Sequence, residues 1–128
     1  MPLTRIDIPS GKSAEYRVTL REVVYETLNT VMGVPDDDRF EVITEHDAAN
    51  LYVSPDYLGI ERSADAIVIQ ITLNAGRPVE MKRAFYAALV ANLNGRLGIR
   101  REDVVVSLLE VGKEDWSFGN GLATYAEG

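Results

Sequence analysis

Polar and apolar residues alternate at the head of the chain, over Leu3-Thr4-Arg5-Ile6-Asp7-Ile8, and again over Ile67-Val68-Ile69-Gln70-Ile71-Thr72-Leu73. A period of two puts successive side chains on opposite faces, so both stretches predict strands. Elsewhere the period lengthens. Leu20, Val23, Val24, Leu28 and Val31 share one face of a helix that Ser13 can cap and Gly33 can end. Met81, Phe85, Leu89, Leu93 and Leu97 form the matching stripe of a second helix, which opens at Pro78, a good first helical residue, and ends at Gly98. Strands near 39–46 and 103–110 follow the two helices.

These elements repeat at a constant offset of 65, since Leu3 falls on Val68 (68 − 3), Leu20 on Phe85, Gly33 on Gly98 and Phe40 on Val105. Residues 1–128 therefore read as a single domain of two β-α-β repeats, about 2–46 and 67–111, with a connecting segment 47–64 and a C-terminal extension 112–128. Right-handed crossovers make each strand pair parallel. The expected fold is α+β: a four-stranded sheet with both helices on one face and the halves related by a pseudo-twofold axis. The strand at 67–73 reads as apolar on both sides, so the second face of the sheet must also be covered, which implies an oligomer packed sheet against sheet. The extension sets Trp116, Phe118 and Tyr125 around Gly119-Asn120-Gly121, which predicts a short hairpin serving as packing plug, subunit clasp or pocket wall.

Composition narrows the function. The 128 residues are 46% hydrophobic and 26% charged, in the globular range. A net charge of −7 argues against a nucleic acid or an anionic membrane as partner. The absence of cysteine excludes disulfides, a thiol nucleophile and a thiolate metal site. With no membrane-length apolar run and no secretory pattern at the N-terminus, a cytoplasmic location is expected.

Pro2 is open to two readings. Proline lacks an N–H and is tolerated at the start of a strand. Loss of Met1 would instead give Pro2 a free secondary amine, both base and nucleophile. The pseudo-twofold brings the head of the first strand beside the turn Asn74-Ala75-Gly76-Arg77. Arg77 before a helix is either a solvated cation or, with the helix N-terminus, part of a carboxylate site; Lys12 is its counterpart (77 − 65). Asp38 in "GVPDDDRFEV" is either a solvated turn residue or the partner of an ammonium, and Asp103 stands at the equivalent place. His46, the only histidine, lacks companions at metal spacing and reads as a strand-end residue. No nucleophile elbow, P-loop or Rossmann glycine pattern is present.

Pro2, the "GVPDDDR" stretch ending in Asp38-Arg39, and "DWSFGNG" with Trp116 and Phe118 resemble the tautomerase superfamily, and within it the malonate semialdehyde decarboxylase group, over nearly the whole chain. The resemblance implies catalytic Pro2 assisted by Asp38, an aromatic wall of Trp116, Phe118 and Tyr125, a homotrimer, and no metal or cofactor. The chain departs from the group at Asn74 and Gly76, where the group carries a close pair of arginines. Here Asn74 and the displaced Arg77 are the expected substrate-binding residues. The implied function is cofactor-independent decarboxylation of a short 3-oxo acid such as malonate semialdehyde. The alternatives are a keto–enol tautomerase or hydratase acting on a 2-oxo or enol acid, and a noncatalytic binding protein on the same fold.

Overall fold

A computed structural model describes residues 1–126 of the chain. Strand β1 runs Leu3–Pro9, helix α1 Ala14–Met32, strand β2 Phe40–His46, strand β3 Ile67–Asn74, helix α2 Val79–Leu97 and strand β4 Val104–Val111. The helix bounds keep the sequence offset, 79 − 14 and 97 − 32 both being 65. Local chemistry sets the ends. The Ser13 hydroxyl accepts the Tyr16 amide N–H at 3.0 Å, satisfying one of the free donors of the first turn. Gly33 and Gly98 both lie at φ 67°, a left-handed conformation that glycine enters without a Cβ clash. Asn29 and Asn94 donate their side-chain amides to the carbonyls of Val34 and Ile99 just beyond those ends. One expectation moves by a residue. Pro78 is the N-cap of α2 rather than its first residue, because its ψ of 161° is extended; its carbonyl accepts the N–H groups of Met81 and Lys82.

The sheet order is β2-β1-β3-β4, with β1 parallel to β2, β3 parallel to β4, and β1 antiparallel to β3. In that central pair Leu3 lies opposite Thr72, so the head of β1 meets the tail of β3. Ile6, Ile8, Ile69 and Ile71 pack with Leu20, Val24, Phe85 and Leu89 in one core between sheet and helices. Asn92 Nδ2 donates to the buried Thr27 Oγ1 at 3.1 Å and ties the helices together. Phe85 is fully buried at the centre of this packing. Phe85→Ala should cost about 3–5 kcal/mol and lower Tm by about 10 °C or more, whereas Val18→Ala, on the exposed face of α1, should move it little. Calorimetry reads both.

Two expectations are corrected. On the face away from the helices β3 presents Val68, Gln70 and Thr72, so it is apolar on both sides only at Val68. The apolar character of that face comes largely from its neighbours, where Phe40, Val42 and Leu109 remain exposed. The expected C-terminal hairpin does not form, since residues 112–126 hold a 3-10 turn at Lys113–Asp115 and no strand. Gly119, Asn120 and Gly121 take φ of 146°, 59° and 70°, and three such residues in a row carry the backbone away from any ladder. Residues 127 and 128 of that extension lie outside the described residues. Among the described residues no helix is long and apolar enough to cross a membrane.

Candidate functional site

The antiparallel centre of the sheet gathers the head of β1, the tail of β3, the turn before β2 and the C-terminal segment at one end. Pro2 is buried directly ahead of β1. The amine of Met1 forms an ion pair with the Asp38 carboxylate. Burial, and after it the charge of Arg77, lowers this amine from its ordinary 8.0 to about 6. Arg77 thus acts on the chain's first residue from across the sheet, as the antiparallel pairing requires.

Asn74, the last residue of β3, joins the parts. Its side-chain oxygen accepts the Trp116 indole N–H at 2.7 Å, its side-chain amide faces the Met1 sulfur at 2.8 Å, and its carbonyl accepts from Arg77 Nη1 at 3.2 Å. A guanidinium carries five N–H donors, and among the described residues Arg77 uses one of them, on that carbonyl. Gly76 sits at φ 122° and donates its N–H to Glu110 at 3.3 Å. That conformation disfavours any side chain, and glycine enters it freely.

Phe118 centres the aromatic wall. Its ring stacks on Trp116 at 5.2 Å and on Phe40 at 5.4 Å, and meets Tyr125 edge-on at 5.2 Å. Stacked and edge-on contacts both suit the ring quadrupoles. The sequence reading missed Phe40, although alternation along β2 places it on the same face as the wall. It also missed the lattice beneath the Asp38 turn. There Arg39 donates Nε to Glu41 at 2.5 Å and Nη2 to Glu22 at 2.9 Å, and its guanidinium lies 4.4 Å from the Tyr25 ring centre. The Tyr25 hydroxyl accepts the Asp37 N–H at 3.1 Å and so steadies the turn.

The counterpart residues of the other half do not form a second such site. Asp103 is 1% exposed and accepts the Ser63 N–H at 2.7 Å and hydroxyl at 2.6 Å, so it anchors the connecting segment. Lys12 pairs with Asp65 at 3.0 Å. His46 lies at the far end of β2, 2.6 Å from Asp7.

Comparison with known proteins accords with this architecture. Residues 38–119 match a family model described as tautomerase enzyme, and residues 2–60 match a second model of the same description. The chain is 35% identical over 127 residues to the probable tautomerase YusQ of Bacillus subtilis (strain 168), covering 99% of this chain and 100% of that protein. The fold is similar to that of FG41 malonate semialdehyde decarboxylase inhibited by 3-bromopropiolate, with 35% identity, a TM-score of 0.89, and coverage of 96% of this chain and 93% of that one. It is also similar to a fused 4-OT symmetric trimer, with 29% identity, a TM-score of 0.79, and coverage of 97% and 98%. These matches run through both β-α-β units and the end of the sheet where Met1, Asp38, Asn74 and Arg77 converge, and the chain belongs to the tautomerase superfamily.

Proposed function

We propose that the chain works after loss of Met1, using the Pro2 amine to decarboxylate a short 3-oxo acid such as malonate semialdehyde. The likeness to malonate semialdehyde decarboxylase carries this reading, and the site supplies a terminal amine beside Asp38 that burial and Arg77 lower to about 6. In the processed chain the same burial and the same guanidinium would bear on the Pro2 nitrogen, one residue along. A neutral amine at pH 7 is a nucleophile. Its lone pair adds to the aldehyde carbon, and loss of water leaves an iminium. The bond to the carboxylate then breaks, its electron pair passes to the iminium nitrogen, and carbon dioxide departs. The enamine takes a proton at carbon, and water hydrolyses the new iminium to acetaldehyde and Pro2. Asp38 takes and returns the protons at nitrogen, a role supported by its contact with the Met1 amine. Arg77 holds the carboxylate, and the side-chain amide of Asn74, released from the Met1 sulfur, donates to the substrate. Trp116, Phe118 and Tyr125 supply a dry wall against which the carboxylate loses solvation.

The same lowered amine favours a second reading, in which neutral Pro2 is a general base for tautomerising or hydrating a 2-oxo or enol acid. Likeness to malonate semialdehyde decarboxylase supports the first reading, and likeness to YusQ, a probable tautomerase, accords with the second. Assembly as a homotrimer belongs to the proposal too, supported by exposed Phe40, Val42 and Leu109 on the sheet face and by likeness to the fused 4-OT trimer.

Borohydride added during turnover of malonate semialdehyde separates the readings. The first expects carbon dioxide release and a reduced adduct on Pro2 in the mass spectrum. Turnover of an enol acid with neither adduct nor carbon dioxide establishes the second. Retention of Met1 on every chain, with no turnover of either acid, leaves a binding protein. On the first reading kcat/KM rises as pH climbs through the amine pKa, because only the unprotonated amine has a lone pair to give. Asp38→Asn should lower kcat about a hundredfold and leave the oligomeric state in gel filtration unchanged.

A further inference from the structure

We propose that Glu41 is a second carboxylate serving Pro2, acting through one water held in a small cavity beneath the proline. The inference rests on the amine chemistry proposed above. Pro2, Thr4, Asp38, Phe40 and Glu41 are among the residues lining this cavity of about 10 Å³, roughly the space one water needs. Glu41 stands opposite Thr4 in the β1–β2 register, and its side chain is 5% exposed. Its Oε1 accepts from Arg39, whereas its Oε2 is buried with no hydrogen-bond partner among the described residues. A buried carboxylate oxygen without a donor is costly, so the place calls for a donor the size of water.

The proline nitrogen supplies the other end of the bridge. Protonated, it would carry two N–H donors, and Asp38, which holds the Met1 amine in the unprocessed chain, is the acceptor assigned to one. The water accepts the second and donates to Glu41 Oε2, so both carboxylates of the site are used. The titratable and charged groups around Glu41 and its cavity are Arg39 beside it on the approach to β2, Arg21, Glu22 and Tyr25 from α1, and Asp38 from the turn. Burial pushes the Glu41 carboxyl up from its ordinary range against the pull of Arg39 and Arg21. Once ionised, Glu41 favours the protonated proline and offsets part of the depression caused by Arg77. It therefore raises the pH at which Pro2 becomes a free amine.

Titration of the Pro2 nitrogen by NMR, in protein freed of Met1 with an aminopeptidase where needed, tests this directly. Glu41→Gln should lower the Pro2 pKa by about one unit. Glu22→Gln removes a glutamate that holds the same arginine from outside the cavity, and should leave the titration in place. No shift in Glu41→Gln, or equal shifts in both variants, overturns the proposal. A crystal structure of the processed wild type covers the case of a Glu41→Gln chain that does not fold. Water bonded to both Oε2 and the Pro2 nitrogen supports the bridge, and an empty cavity overturns it. Failure of the amine chemistry itself shows differently, as a Pro2→Ala variant with full activity.

Discussion

Pro2→Ala is expected to lower kcat/KM on 3-oxo acids about a hundredfold or more while the protein stays folded. Pro2 precedes β1 and contributes no N–H to the ladder, and the paired register begins only at Leu3. Alanine therefore removes no sheet hydrogen bond. What it removes is chemistry. A rigid secondary amine becomes a primary amine free to rotate away from Asp38, and the cavity beneath it enlarges, letting in water that stabilises the ammonium form. A primary amine still forms an imine, so the loss is large without being complete. Intact mass must show Met1 absent from both proteins, and thermal unfolding should place their midpoints within a few degrees, about 1 kcal/mol apart. Equal kcat/KM in the two processed proteins would show that Pro2 is only the start of a strand.

The elements that were legible in the sequence are those whose cause is local. A hydroxyl at Ser13 and glycines at Gly33 and Gly98 fix the helix ends through contacts within a few residues. The 65-residue offset then forces the parallel pairs, and the pseudo-twofold places Pro2 by Arg77 across the antiparallel pair β1 and β3. Gly119-Asn120-Gly121 was misleading because the same residues suit a hairpin turn or a compact coil. Here packing decides, with Phe118 held between Phe40 and Trp116 and its N–H given to Thr124 at 3.1 Å. The width of the apolar sheet face was overread because alternation shows which residues of one strand share a side, not what the strands beside it present. The Trp116–Asn74 bond joins residues 42 apart, and the Arg39 lattice depends on rotamers of Glu22, Tyr25 and Glu41. Neither leaves a periodic trace.

Arg77→Ala carries two effects, and pH separates them. The first, on the proposed function, is loss of the contact to the substrate carboxylate. A charge-assisted hydrogen-bonded pair contributes about 1.5–3 kcal/mol, so kcat/KM for a 3-oxo acid should fall about ten- to a hundredfold. The second effect acts on the amine. In the unprocessed chain Arg77 is, after burial, the cause of the lowered Met1 amine pKa, so its removal should move the Pro2 amine of the processed chain upward as well. On the proposed mechanism the neutral amine is the reactive form, and the acid limb of kcat/KM should move to higher pH in the variant. At pH 7 both effects operate on the acid, whereas a neutral ketone analogue, with no carboxylate to hold, feels only the second. Above the limb, near pH 9, the ketone should react alike with both enzymes while the acid keeps its full deficit. Folding is not at issue, since among the described residues the side chain donates only to the Asn74 carbonyl. Lys12→Ala, at the equivalent place in the half without a proline, breaks a pair with Asp65 away from the amine and should leave both limb and plateau in place. Equal effects from Arg77→Ala and Lys12→Ala, or an acid deficit that disappears at pH 9, would remove Arg77 as the carboxylate ligand. A single arginine beside Gly76 would then be unable to replace the pair of the decarboxylase group, and general-base chemistry at Pro2 would become the better account.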